Sequence, residues 1–191
     1  MFKKYILFLF LLSFTIILFG QIKEGQFLFI EKDSQKVFKV LVEKTGDSLS
    51  LSIRGDRLSY LEIYLIKGDS AFLLKRKFKL GFLNYVLAYS PRRLRFLLPF
   101  EKDKNWQYEG TEISPFHKSE IKSFGFVSEN DDGYKIYNIT FRDGSVDTSI
   151  VEFDKMYTVN KIFIDLPKIF LLREMLGFKT TKLVFENYGK E

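Results

Sequence analysis

The chain has 191 residues, 30 of them basic and 24 acidic, for a net charge of +6. That length suits one domain, and 46% hydrophobic residues with 22 phenylalanines mark an aromatic-rich, core-forming one. One histidine and no cysteine exclude disulfides, thiolate metal sites, cysteine nucleophiles, lipid-bearing cysteine and any site needing two imidazoles.

The chain opens with Lys3 and Lys4, and residues 5–19 are then apolar except for Ser13 and Thr15. A basic start followed by an apolar run of about 15 residues is the order of a secretory signal. A permanent span needs roughly 18–20 apolar residues, so the run is short for crossing a bilayer. Gly20 supplies a small residue ahead of Gln21, although Leu18 stands where a second small residue is expected. Residues 1–20 therefore read as a signal peptide, or as an N-terminal anchor over residues 5–19 if retained. Residues 21–191 read as a single β-rich domain in the periplasm or cell envelope. Without residues 1–20 the chain keeps 28 basic and 24 acidic side chains, a net +4. This mild excess helps at an anionic membrane face and falls short of a nucleic-acid footprint.

From Gln26 onward, short β-type segments are separated by turn residues at intervals of about eight to twelve positions. Val37, Val40 and Val42 lead into a turn at Thr45-Gly46-Asp47-Ser48. Leu49, Leu51 and Ile53 then alternate with Ser48, Ser50 and Ser52, as one buried and one wet face require. Further turns fall at Arg54-Gly55-Asp56 and Lys67-Gly68-Asp69. In Lys75-Arg76-Lys77-Phe78-Lys79 the three lysines share one face, opposite Arg76, Phe78 and Leu80. Residues 80–89 suit a strand or a weak helix. Tyr134, Ile136, Asn138 and Thr140 share a face, with Ile139 and Phe141 opposite, and Asp143-Gly144 is the pair that a type I′ hairpin turn favours. Residues 167–176 carry helix signals, with Pro167 at the first position, Arg173 near the end and Gly177 just past it.

About ten to twelve strands joined by consecutive hairpins predict a mainly β (α+β) fold. It is one large curved antiparallel sheet or half-barrel, curled or closed, with the short helix packed on it as a lid. The concave face must be filled by side chains, a helix or a ligand.

Two stretches carry a resemblance. Leu176-Gly177-Phe178-Lys179-Thr180-Thr181-Lys182-Leu183-Val184-Phe185-Glu186-Asn187-Tyr188 resembles the closing strand of periplasmic lipoprotein-carrier proteins. Residues 97–110, which hold Pro99, Trp106 and Gly110, are similar to a segment of related exported bacterial domains, with Asp103-Lys104-Asn105 in place of the glycine before the tryptophan. The resemblance implies a curved antiparallel sheet, a helical lid and a hydrophobic cavity.

Catalytic motifs are weak. His117 has no acidic or imidazole partner at a useful spacing, and Asp131-Asp132-Gly133 lacks the ligand spacing of a calcium loop, so both read as loop features. Arg54-Gly55-Asp56 reads as a turn. The sequon Asn138-Ile139-Thr140 sits inside a predicted strand. No enzyme activity, metal or cofactor is expected.

The expected function is burial of an apolar ligand, lipid or lipidated protein, at about 25 cal/mol per Å² of apolar surface removed from water. The candidate cavity residues are Phe82, Tyr85, Phe96, Leu98, Trp106, Phe163, Phe170 and Met175. Lys75, Lys77 and Lys79 with Arg92, Arg93 and Arg95 are expected to form a positive rim for an anionic head group or membrane surface. The alternative is a fully packed structural or interaction domain of the envelope.

Overall fold

The structure, a computed structural model, describes residues 22–165 and 182–190 apart from Arg57, Phe82 and Phe116. The alternation read in the sequence becomes strands β1 (Gly25–Glu31), β2 (Val37–Thr45), β3 (Ser48–Arg54), β4 (Leu58–Lys67), β5 (Ser70–Leu80) and β6 (Leu83–Leu97). These are followed by β7 (Asn105–Ile113), β8 (Lys118–Asn130), β9 (Gly133–Arg142), β10 (Ser145–Asp154), β11 (Val159–Asp165) and β12 (Lys182–Lys190). Each strand pairs antiparallel with its sequence neighbours, and β1 pairs with β12. The sheet is therefore a closed barrel and not a half-barrel, and closure removes its edges. Among the described residues there is no helix. The lid predicted over residues 167–176, with Phe170 and Met175, lies outside them.

The local turn readings carry over. Arg142 pairs with Ser145 across Asp143-Gly144, whose φ angles of 22° and 74° are the positive values a type I′ turn takes. Gly55 and Asp56 join β3 to β4, and Asp131-Asp132 joins β8 to β9. Residues 83–89 belong to a strand. Glu31, fully buried, accepts the backbone N–H groups of Asp33 (3.2 Å) and Ser34 (2.7 Å), tying down the turn between β1 and β2.

Eight-stranded barrels leave an interior that side chains just fill. Twelve strands enclose more, so the inward positions need large residues, which accounts for the aromatic composition. At the end where residues 98–104 and 155–158 connect strands, aromatic rings fill the space. Phe100 lies at their centre, with ring centroids 4.8 Å from Phe153, 5.1 Å from Tyr157, 5.8 Å from Tyr134 and 5.9 Å from Phe96. Trp106 faces Gly125 on β8, where an added Cβ would lie 2.1 Å from the indole, so only glycine leaves it room. This end retains a void of about 30 Å³, bordered by Tyr64, Phe96, Ile136 and Phe153. The opposite end, where the β5–β6 and β9–β10 turns lie, is filled differently.

Candidate functional site

Strand β4 places Leu58, Tyr60, Glu62 and Tyr64 at successive inward positions, all buried. Glu62 pairs in register with Arg76 of β5, whose Nε and Nη2 both donate to its Oε1 at 2.9 and 2.6 Å. Tyr64 donates its hydroxyl to the other carboxylate oxygen. Arg95 of β6 reaches the same carboxylate at 4.0 Å.

Two arginines of β6 reach through the barrel interior to strands β9 and β10. Arg93 donates to Thr140 Oγ1 of β9, and Arg95 donates to Ser149 Oγ of β10 at 2.7 Å. Arg142 completes the group, 3.1 Å from Glu112 and 3.0 Å from Asp147. Between these walls lies a cavity of about 330 Å³. Its polar lining includes Glu62, Arg76, Arg93, Arg95, Arg142 and Asp147, and its apolar lining includes Phe78, Tyr85, Leu87, Val151, Ile162 and Ile164.

The electrostatics follow from burial. Burial by itself would raise the Glu62 carboxyl, but Arg76, then Arg95, and hydrogen bonds from Tyr60 and Tyr64 outweigh it and hold its pKa at about 2 instead of 4.5. Glu62 is thus ionised at neutral pH and has no proton to donate. Burial, reinforced by Arg95 and Arg76, lowers the Arg93 guanidinium to about 10, with Tyr89 opposing the shift. Arg93 therefore remains a cation at pH 7, 1% exposed, with its charge over the Tyr89 ring at 5.4 Å.

A carboxylate with a folded pKa below its unfolded value contributes stability above the unfolded value and loses it as pH falls through the folded one. For Glu62 that window runs from about 4.5 down to about 2. The thermal midpoint is expected to fall between about pH 5 and pH 2. Glu62→Gln, which cannot titrate, should show a shallower fall, and parallel slopes in the two proteins would remove Glu62 from the acid transition.

Tyr85 and Phe163 border the 330 Å³ cavity, whereas Phe96 borders the small void at the aromatic end. Trp106 is packed against Gly125, and Leu98 is a half-buried residue against the core. Phe82, Phe170 and Met175 lie outside the described residues. Lys75 and Lys77 pair with Ile63 and Leu61 on the outer face, and Lys79 pairs with Ser59, so the lysine face is where alternation put it. The positive rim needs correction. Arg92 is exposed, but Arg93 and Arg95 are 1% and 3% exposed inside the barrel.

The parity of β6 already carried that signal, because Arg93 and Arg95 share it with Tyr85, Leu87 and Tyr89. Glu62, Thr140, Arg142, Asp147 and Ser149 were not singled out as site residues in the sequence. His117 is an exposed loop residue 3.6 Å from Asp143. No group of acidic or histidine side chains suited to a metal ion occurs among the described residues.

No family model matches this chain, and neither the curated proteins nor the solved structures yield a match. The reading of the site therefore rests on its own geometry.

Proposed function

We propose that this is an exported envelope protein whose barrel carries a small lipid-like molecule without reacting with it. The observation that supports this reading is the interior cavity of about 330 Å³ with one wall of apolar side chains. Its volume lies at the lower end of the roughly 300–1,000 Å³ typical of small-molecule sites. Burying a chain against Phe78, Leu87, Ile162 and Ile164 would be driven at about 25 cal/mol per Å² of apolar surface removed from water. Export is read from Lys3, Lys4 and the apolar residues 5–19. Binding without reaction fits the two carboxylates that border the cavity, since Glu62 is held by Arg76 and Asp147 by Arg142.

The test is native mass spectrometry of residues 21–191 purified from cells, repeated after organic extraction. A bound lipid at unit stoichiometry, lost on extraction, is the expected result. A protein that emerges empty and stays empty when offered fatty acids and phospholipids would overturn the carrier reading. The packed aromatic end, where a void measures about 30 Å³, favours a structural or interaction role as the second reading. An empty protein would move the assignment there.

A further inference from the structure

Among the described residues, the cavity lining carries more positive charge than its own carboxylates neutralise. Arg76, Arg93, Arg95 and Arg142 line it, while Glu62 and Asp147 are its only acidic lining residues among those described. Glu112 joins Asp147 on Arg142, and Glu62 serves Arg76 and, at longer range, Arg95. Arg93 is the cation left over among the described residues. Among the described residues no carboxylate lies within 4.0 Å of it, and its hydrogen-bonded side-chain partner is the neutral hydroxyl of Thr140.

The donors are also incompletely used. Arg93 Nε and Arg95 Nη1 are buried without an acceptor among the described residues. A buried guanidinium with unmet N–H groups is costly, and planar N–H donors are suited to the oxygens of a carboxylate or phosphate. The same cavity offers apolar walls in Phe78, Leu87, Ile162 and Ile164.

We propose that Arg93 and Arg95 form the seat for an anionic head group, so that the ligand is an amphiphile with one carboxylate or phosphate end and an apolar body. This proposal rests on the carrier reading for the apolar body, and on the arginines alone for the head. Bound beside these two guanidinium groups, the anion would neutralise the excess charge. A neutral lipid would leave that charge unbalanced.

The experiment is calorimetric titration of delipidated residues 21–191 with decanoate, decanol, acetate and inorganic phosphate. Decanoate is expected to bind at least about tenfold more tightly than decanol, the difference that a charge-assisted hydrogen bond produces. Acetate and phosphate should bind far more weakly than decanoate. Arg93→Met should bring decanoate down to the affinity of decanol, leave decanol unchanged and raise the thermal midpoint of the ligand-free protein. Arg93→Lys should retain part of the preference, and Lys122→Gln on the outer face should leave all four titrations unaltered.

Equal affinities for decanoate and decanol in the unaltered protein would overturn the anionic seat and leave the apolar carrier standing. That comparison needs no variant, so it holds even if Arg93→Met fails to fold. Tight binding of phosphate or acetate with none of decanol would keep the seat and overturn the apolar body. Binding of none of the four would overturn both.

Discussion

Replacing Glu62 by glutamine is expected to destabilise the barrel by about 3–5 kcal/mol, the range found when one partner of a buried ion pair is removed. The reason is what the substitution leaves behind. Glutamine keeps the volume but withdraws the charge that faces Arg76 at 2.6 Å and Arg95 at 4.0 Å, of which Arg95 is buried and Arg76 largely so. Tyr64 also loses a charged acceptor for its hydroxyl. Denaturant unfolding of the two proteins measures the difference directly. A loss below about 1 kcal/mol, as at an exposed pair, would mean that solvent reaches this carboxylate.

The double variant Glu62→Gln with Arg76→Met is expected to lose less than the two single losses added together. Removing both members leaves Arg95 alone without its carboxylate, where Glu62→Gln leaves Arg76 and Arg95 together, and residues in direct contact do not act additively. Glu62→Gln should at the same time strengthen decanoate binding, because it frees donors of Arg76 and Arg95 for the ligand. Lower stability with tighter anion binding would be a result that general damage to the fold does not produce.

Phe100→Ala carries the other large expected effect, about 3–5 kcal/mol, as for truncation of a phenylalanine in a core. Phe100 is 2% exposed, and its ring meets Phe96, Tyr134, Phe153 and Tyr157 within 5.9 Å. These neighbours come from four separate segments of the chain, with Phe96 on β6, Tyr134 on β9, Phe153 on β10 and Tyr157 in the connection after it. Removing the central ring therefore leaves a hole that no single side-chain movement can close. The loss should appear as a lower denaturant midpoint with an unchanged slope. Decanoate affinity, governed by the other end of the barrel, should hold at temperatures where the variant remains folded. A loss of less than about 1 kcal/mol would show that the aromatic end collapses onto the space.

Much of the fold was legible because β-structure writes its signals locally. Ser48 to Arg54 alternate residue by residue, and the buried side chains Leu49, Leu51 and Ile53 face the core as that pattern requires. Asp143-Gly144 specifies its own turn through backbone preference. The lysines at 75, 77 and 79 declared the outer face of β5 by spacing alone. Where both faces of a strand are apolar, the pattern loses its sense of direction. In β4, Leu61 and Ile63 are as hydrophobic as Tyr60 and Tyr64, so nothing local says that Glu62 points inward.

The arginines illustrate the same limit from the other side. Charged residues are almost always exposed unless paired, and that general rule places Arg93 and Arg95 outside. Arg95 is held by Glu62, 33 residues earlier in the chain, and by Ser149, 54 residues later, and Arg93 by Thr140, 47 residues later. No spacing within a strand encodes such partners.

What the sequence determined by itself is therefore what short stretches of chain decide. It set the strand-and-turn succession, the outward lysine face, the dependence on aromatic filling and the absence of thiol chemistry. Only the tertiary structure decided that β1 pairs with β12 to close the barrel, that rings fill one end, and that four arginines meet around a cavity at the other. Closure and charge pairing join residues far apart in the chain. Their energies depend on the burial and distance that folding itself creates.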